Sequence, residues 1–321
     1  MRAIQVSEHG GPEVLVPAEV DDPAIGPNQL LVETEAAGVN YIDTYIRTGT
    51  YPQPVPYIPG SEGTGVVAAT GSEVTDFTVG DRVAWAAAPG SYAEKVAVDA
   101  AVAIAVPGGV DAAVAASALL QGMTAHYLIE SVYKPEPGET VLVHAGAGGV
   151  GLLLTQLATA RGVRVVTTVS TDAKEQLSRE AGAHEVLRYG DDLAQRVRDL
   201  TGGQGVAAVY DGVGAATFEA SLASLRIRGM LALFGAASGQ VPPFDLQRLN
   251  PAGSLFVTRP TLVHYTRDRS ELLWRAGDVM NAIAEGTLRL RIGARYPLAD
   301  AAQAHRDLQA RKTTGSIVLM P

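Results

Sequence analysis

Val141-Leu-Val-His-Ala-Gly-Ala-Gly-Gly-Val-Gly151 decides the reading of this chain. The apolar run from Val141 to Ala145 predicts a buried strand, and the stretch from Val150 to Arg161 predicts an apolar helix. Between them stands Gly146-x-Gly148-x-x-Gly151. Strand, glycine turn and helix follow one another in the order a dinucleotide requires. Gly146 permits the tight turn, Gly148 lets the backbone approach a pyrophosphate, and Gly151 lets the helix pack close on the strand. Backbone N–H groups at the helix start then face the anion. The chain has 35 glycines, so the spacing alone says little. The flanking strand and helix turn it into a dinucleotide signal.

The same rhythm continues downstream. Strands are expected at 164–169, 185–189, 207–211, 230–234 and 254–258, with helices at 173–181, 193–201 and 217–225 among them. That alternation implies an α/β fold, a doubly wound parallel sheet with helices on both faces. Upstream, short alternating strands at 2–6, 29–37, 63–70, 82–85 and 91–98 are separated by Gly and Pro, which predicts a mostly β domain. The loop Tyr51-Pro-Gln-Pro-Val-Pro-Tyr-Ile-Pro59 is too rich in proline for regular structure. The tail reads as helices near 267–285 and 300–311 and a last strand at 316–319. The boundary near Gln121–Tyr127 lies in or beside a helix, so a rigid hinge is expected.

The totals agree with this. A chain of 321 residues predicts two domains, and 47% hydrophobic against 18% charged residues predicts a large core. A net charge of −9 disfavours a grip on nucleic acid, which rests on Lys and Arg neutralising phosphates. The absence of cysteine excludes disulfides, thiolate catalysis and cysteine–zinc sites, and suits a reducing cytosol. The start, Met1-Arg-Ala-Ile-Gln-Val6, lacks a long apolar signal core. The window Asp111–Ile129 is interrupted by Ser117, Gln121, Thr124 and His126, and reads as a buried helix rather than a membrane span.

Which dinucleotide is meant depends on the end of the second strand, ~20 residues past the glycine turn. There the chain runs Val169-Ser170-Thr171-Asp172-Ala173-Lys174. Two hydroxyls and an ammonium suit a 2′-phosphate, which a carboxylate would repel. Asp172 stands against this as a ribose ligand, or it caps the next helix with Glu175 three residues on. The local chemistry favours NADPH over NADH.

Several stretches together resemble the zinc-free quinone oxidoreductases (NADPH:quinone reductases, including zeta-crystallin) of the medium-chain dehydrogenase/reductase superfamily. They are Gly38-Val-Asn-Tyr-Ile-Asp-Thr-Tyr-Ile-Arg47, Pro59-Gly-Ser-Glu-Gly63, Leu120-Gln-Gly-Met-Thr-Ala125, the glycine turn, Tyr210-Asp-Gly-Val-Gly214, Phe234-Gly-Ala-Ala-Ser-Gly239, Thr258-Arg-Pro260 and Arg311-Lys-Thr-Thr-Gly315. The resemblance spans essentially the whole chain. It implies a GroES-like domain at 1–122, completed by 289–321, beside a Rossmann domain at 123–288, with cofactor and substrate in the cleft between them. It implies a homodimer through the last Rossmann strand. It carries Asn40 to the nicotinamide ribose region and Thr124 to the nicotinamide or phosphates. Gly148, Gly149 and Val150 would cover the pyrophosphate. Ser170, Lys174 and Tyr189 would surround the 2′-phosphate. Phe234, Gly235 and Ser238 would line the nicotinamide side, and Arg311 would reach a cofactor phosphate. One departure is Gly146, where family members commonly have alanine; it is expected to cost only rigidity.

Zinc members of the superfamily use Cys where this chain has Asn40, and Gly-His-Glu where it has Gly60-Ser61-Glu62. The six histidines show no ligand spacing, so no metal is expected. Without a Lewis acid the favoured direction is hydride donation into an acceptor already electrophilic, a quinone or a conjugated enone. Candidates for contact with that acceptor are Asn40, Tyr41, Tyr45 and Arg259. Tyr41 or Tyr45 would donate to a quinone oxygen, stack on its ring, or simply pack. Arg259 is either a ligand contact or the partner of an interface carboxylate. Asp43 and Glu62 are expected in structural ion pairs. The leading reading is an NADPH-dependent quinone reductase. An alkenal/enone double-bond reductase is the neighbouring alternative, and a non-enzymatic crystallin-like cofactor- or RNA-binding protein is the alternative from another class.

Overall fold

The computed structural model describes residues 1–321, and they divide into two units, Met1–Gln121 with Thr266–Pro321 and Gly122–Tyr265. In chain order the first unit contains β1 (Arg2–Gln5), β2 (Val16–Glu19), β3 (Gln29–Val39), α1 (Tyr41–Arg47), β4 (Glu62–Thr70), β5 (Arg82–Trp85), β6 (Lys95–Asp99) and β7 (Ile104–Ala105). Helix α2 (Ala112–Tyr127) carries the boundary, as the apolar window there predicts, and relaxes into a π-helical turn at Leu128–Val132. Together these form an apolar helix of 21 residues, long enough to cross a membrane by length and composition, but its apolar window is 83% buried inside the protein.

The second unit alternates strand and helix and then adds one more strand: β8 (Thr140–Val143), α3 (Gly149–Ala160), β9 (Arg164–Val169), α4 (Asp172–Glu180), β10 (Glu185–Arg188), α5 (Leu193–Asp199), β11 (Val206–Asp211), α6 (Phe218–Ser224), β12 (Leu225–Leu233) and β13 (Phe256–Thr258). Its six strands lie in the order β10-β9-β8-β11-β12-β13, every neighbouring pair parallel. Numbered within the unit, that is 3-2-1-4-5-6, the doubly wound order with its switch point between β8 and β11. Parallel strands buried on both faces read as continuous apolar runs, which is why Val141–Val143 and Val206–Val209 are fully buried. Leu142, Val166, Val209 and Leu231 meet α5 and α6 through Val197, Phe218 and Leu222. Most boundaries shift by one or two residues, and β6 starts at Lys95 rather than at 91. β12 begins at Leu225, and β13 begins only at Phe256, because Ser254 takes a left-handed φ of 53°.

The chain then returns to the first unit with α7 (Arg269–Ala284), β14 (Ile292–Pro297), α8 (Ala301–Gln309) and β15 (Ser316–Met320). β15 pairs antiparallel with β3 and parallel with β14, so the tail completes a seven-stranded sheet, as the resemblance implies. The compact second unit ends at Tyr265, where residue 288 is expected. The reason is local: Arg269 at the start of α7 donates to the carbonyls of Ala101 and Ala103, both at 2.8 Å. That ties the helix to the β-rich unit.

Candidate active site

In the second unit the glycine turn leaves β8 at the switch point. A Cβ on Gly151 would lie 2.3 Å from the Ala145 carbonyl oxygen, so only glycine lets α3 start this close to the strand. A Cβ on Gly146 would lie 2.6 Å from Thr167 Cβ and 2.8 Å from Ser178 Oγ. Those two hydroxyl side chains, themselves hydrogen-bonded at 2.7 Å, fill the space an alanine would take. Gly146 is therefore matched to its neighbours and is more than a loss of rigidity. Gly148 is the N-cap of α3 and no side chain caps the helix. The first-turn N–H groups, those of Gly149, Val150 and Gly151, lack intrahelical partners and suit a pyrophosphate.

The neighbouring strand ends converge on this turn. The Tyr189 hydroxyl accepts the Ala145 N–H at 3.0 Å, which brings Tyr189 beside the glycine turn. Ser170 follows β9, and Thr171, not Asp172, is the N-cap of α4, its hydroxyl accepting the Lys174 N–H. Asp172 is instead the first helical residue, held at 2.6 Å by Arg188 from β10. Beneath the turn, His144 is buried with Thr168 Oγ1 at 2.8 Å from Nδ1 and Ser221 Oγ at 2.9 Å from Nε2. Ser221 donates on to Asp211 at 2.7 Å. Since Ser221 donates to the carboxylate, it accepts from His144 Nε2–H. Burial pushes the imidazole pKa down and keeps it neutral. This hydrogen-bonded chain ties together the ends of β8, β9 and β11.

Asp211 also accepts the N–H groups of Val213 and Gly214, which shapes the loop after β11. A Cβ on Gly212 would meet the Phe234 ring at 2.9 Å, and one on Gly235 would meet the Gly212 carbonyl oxygen at 2.3 Å. Phe234, Gly235 and the β11 loop are thus packed together. Ser238 donates to the Val213 carbonyl at 2.8 Å and accepts from the Ala216 N–H, so its hydroxyl is committed to the loop. Arg259 donates one guanidinium N–H to the Leu233 carbonyl at 3.0 Å. Thr124 is buried on α2.

In the first unit the site is built around Asn40, the N-cap of α1. Its amide Nδ2 donates to Glu62 Oε2 at 2.7 Å, and its Oδ1 accepts from Gln121 Nε2 at 3.1 Å. Ser316 donates to Gln121 Oε1 at 2.7 Å, and the Leu120 N–H donates to Glu62 Oε1 at 2.7 Å. Every donor in this buried network has one direction, so the Asn40 amide has one orientation. Glu62 is 0% exposed and burial pushes its carboxyl up to about 8. A Cβ on Gly38 would lie 2.6 Å from Glu62 Oε2, so that glycine makes room for the carboxylate. Neither Glu62 nor Asp43 forms an ion pair, contrary to expectation. Asp43 closes the capping box on the Asn40 N–H at 2.8 Å and accepts from the Tyr92 hydroxyl at 2.9 Å.

The tyrosines of α1 differ. Tyr41 donates its hydroxyl to the Leu308 carbonyl at 3.1 Å, so that proton is engaged. Burial pushes its pKa up, opposed by the Arg311 charge. Tyr45 packs between Tyr41 and Tyr51, edge-on to the latter at 5.5 Å between ring centroids. Sequence reasoning missed Gln121 as part of the network and Arg188 as the partner of Asp172. No three His, Cys, Asp or Glu side chains converge as a metal would require.

Known proteins resemble this chain over its whole length. The alcohol dehydrogenase GroES-like domain family matches residues 26–116, and the zinc-binding dehydrogenase family matches residues 149–273. Quinone oxidoreductase of Pseudomonas aeruginosa is 45% identical over 323 residues, covering 100% of this chain and 99% of the relative. The 2-haloacrylate reductase of a Burkholderia species is 40% identical over 329 residues, covering 99% of this chain and 98% of the relative. Among solved structures, the mycobacterial protein Rv1454c complexed with NADPH superposes with a TM-score of 0.98 at 57% identity, each chain covered in full.

Proposed function

This chain belongs to the quinone oxidoreductase family of the medium-chain dehydrogenases/reductases, and on that premise we propose that it is an NADPH-dependent quinone reductase that works without a resident metal. The observation that carries this reading is the Asn40 network. Asn40 and Ser61 stand where zinc-dependent members have Cys and His, and Asn40 is locked by Glu62 and Gln121 in a hydrogen-bond frame. When bound, the nicotinamide cofactor supplies the hydride.

The protein's own residues bind and orient. First-turn amides of α3 take the pyrophosphate, with Gly146 and Gly151 keeping the turn tight. Ser170, Lys174 and Tyr189 take the 2′-phosphate, and Arg311 a cofactor phosphate. Phe234 and Gly235 line the nicotinamide side. Asn40 holds one Nδ2 hydrogen on Glu62 and offers the second to the nicotinamide ribose region or the acceptor oxygen. With the Tyr41 proton engaged on Leu308, Tyr45 is the tyrosine assigned to the quinone ring. Ser238, which also holds the β11 loop, is assigned to the nicotinamide side, and Arg259 to the acceptor or to an interface carboxylate. A cytoplasmic setting suits this chemistry.

The test is NADPH oxidation with ortho- and para-quinones, with NADH and a chelator as controls. Rapid, chelator-insensitive turnover with NADPH is expected. A second reading, reduction of an activated double bond, is favoured by the likeness to 2-haloacrylate reductase. Turnover of a 2-alkenal or 2-haloacrylate without any quinone activity would replace the first reading by the second.

The proposed partner is a second copy. β13 is an edge strand, and Phe256 and Ile227 beside it are 55% and 74% exposed. An unpaired edge with apolar side chains is a template for an isologous pairing. A dimer is expected by light scattering, and Phe256→Arg is expected to yield monomer. A wild-type monomer at micromolar concentration would refute this.

A further inference from the structure

The first turn of α4 presents a conflict. Lys174 suits a 2′-phosphate, yet Asp172 and Glu175 stand on either side of it. Two carboxylates at the end of the second strand would repel a phosphate dianion and attract a ribose diol. Arg188 resolves the conflict. It is the last residue of β10, paired in register with Val169 of β9, immediately before Ser170. Its NH2 group lies 2.6 Å from Asp172 and 2.7 Å from Glu175, and Glu175 is also held by Arg179 at 2.8 Å. Three cations, Arg188, Arg179 and Lys174, face two carboxylates here, so the turn carries a net positive charge. Asp172 is otherwise exposed to solvent and has Arg188 as its ion-pair partner. The Arg188 NH1 group is buried without a hydrogen-bond partner, so the guanidinium keeps donor capacity uncommitted beside the strand end.

We propose that Arg188, by clamping Asp172 and Glu175, determines the preference of this site for a cofactor phosphorylated on its adenosine ribose. The proposal rests on the NADPH reading above and names the residue that makes it selective. The sequence hides the clamp because Arg188 lies 16 residues from Asp172 on another strand. Its function is to change the sign of the field at the strand end without occupying the end itself.

Equilibrium binding tests it apart from turnover. Dissociation constants are measured calorimetrically for NADPH, NADH, 2′,5′-ADP and 5′-AMP. The proteins are the full chain, Arg188→Leu, and Arg188→Leu combined with Asp172→Asn and Glu175→Gln. The NADPH-to-NADH affinity ratio is expected to fall roughly tenfold or more in Arg188→Leu, the scale of one charge-assisted hydrogen bond. The triple variant, its carboxylates neutralised, is expected to recover most of the ratio. This recovery also shows that the strand end is still folded. An unchanged ratio in Arg188→Leu overturns the clamp while leaving the cofactor reading intact. Loss without recovery overturns it too, and assigns Arg188 a direct contact with the phosphate. A wild-type protein that binds NADPH and NADH equally, and 2′,5′-ADP no better than 5′-AMP, overturns the cofactor reading and the inference with it.

Discussion

Replacing Glu62 by glutamine is expected to lower kcat/KM for quinone reduction by roughly 10²-fold while the protein remains folded. Glu62 receives two donors, the Asn40 amide on Oε2 and the Leu120 N–H on Oε1. Glutamine has one acceptor atom. If it keeps the Leu120 bond, its own NH2 faces Asn40, and Asn40 must turn its oxygen inward. Gln121 and Ser316 must then reverse in sequence. The outward face of Asn40 changes from the present arrangement to its mirror in hydrogen-bond polarity. Charge matters as well as shape. Protonating Glu62 breaks one of its two bonds, so kcat/KM is expected to rise with pH through about 8 in the wild type and to lose that limb in Glu62→Gln.

Stability has the opposite slope. Because the folded carboxyl is raised from 4.5 to about 8, the folded protein holds a proton that the unfolded chain releases across that interval. This contribution is full below pH 4.5 and is lost as pH rises through 8, a change of order 5 kcal/mol. Denaturant melts from pH 4 to 9 would show it, and Glu62→Gln would flatten the curve. A wild-type activity profile with no limb near 8, together with full activity of Glu62→Gln, would remove Glu62 from the positioning of Asn40.

The second large effect is structural. Arg47→Met is expected to cost roughly 3–5 kcal/mol, as removal of one partner from a buried charged network does. For a chain of this length that corresponds to a fall of roughly 5–7 °C in Tm. Arg47 is 1% exposed and donates to the Gly10 carbonyl, to His305 Nδ1 at 3.0 Å and to Gln309 at 3.1 Å. Since a guanidinium only donates, His305 Nδ1 accepts and Nε2–H donates to the Tyr92 hydroxyl at 3.1 Å. Tyr92 in turn donates to Asp43. Burial and the Arg47 charge push His305 down to about 3, so it is neutral in this chain, while burial raises Asp43 to about 6. The relay therefore joins a buried cation to a buried carboxyl through two neutral side chains, and its last member caps the helix of Asn40. Methionine keeps the bulk but leaves three acceptors without donors. Differential scanning calorimetry reads the loss, and a change below about 2 °C would mean that the relay contributes little to folding.

Much of this was legible without coordinates. The parallel sheet of the second unit follows from apolar runs, glycine placement and helix alternation, all of which act over a few residues. Counting from the glycine turn leads to Ser170 and Lys174 as candidates for the 2′-phosphate. Asn40, Tyr41 and Tyr45 came from a stretch whose resemblance was specific. What misled was polar chemistry read locally. Asp172 looks like a helix cap because Glu175 follows at the right spacing, yet Thr171 one residue earlier takes the bond to the Lys174 N–H. Asp43 and Glu62 look like halves of ion pairs because buried carboxylates need partners, but their partners are amides and a phenol.

The sequence by itself determined the dinucleotide unit, its order of elements and the family, because secondary structure and close glycine packing are set by neighbours along the chain. Tertiary structure alone decided how the site is held. Asn40 meets Glu62 22 residues away and Gln121 81 residues away, and Arg47 meets His305 258 residues away. Hydrophobic periodicity records which face is buried, whereas a buried polar atom takes whichever donor or acceptor the fold brings within about 3 Å. That choice leaves no period in the chain.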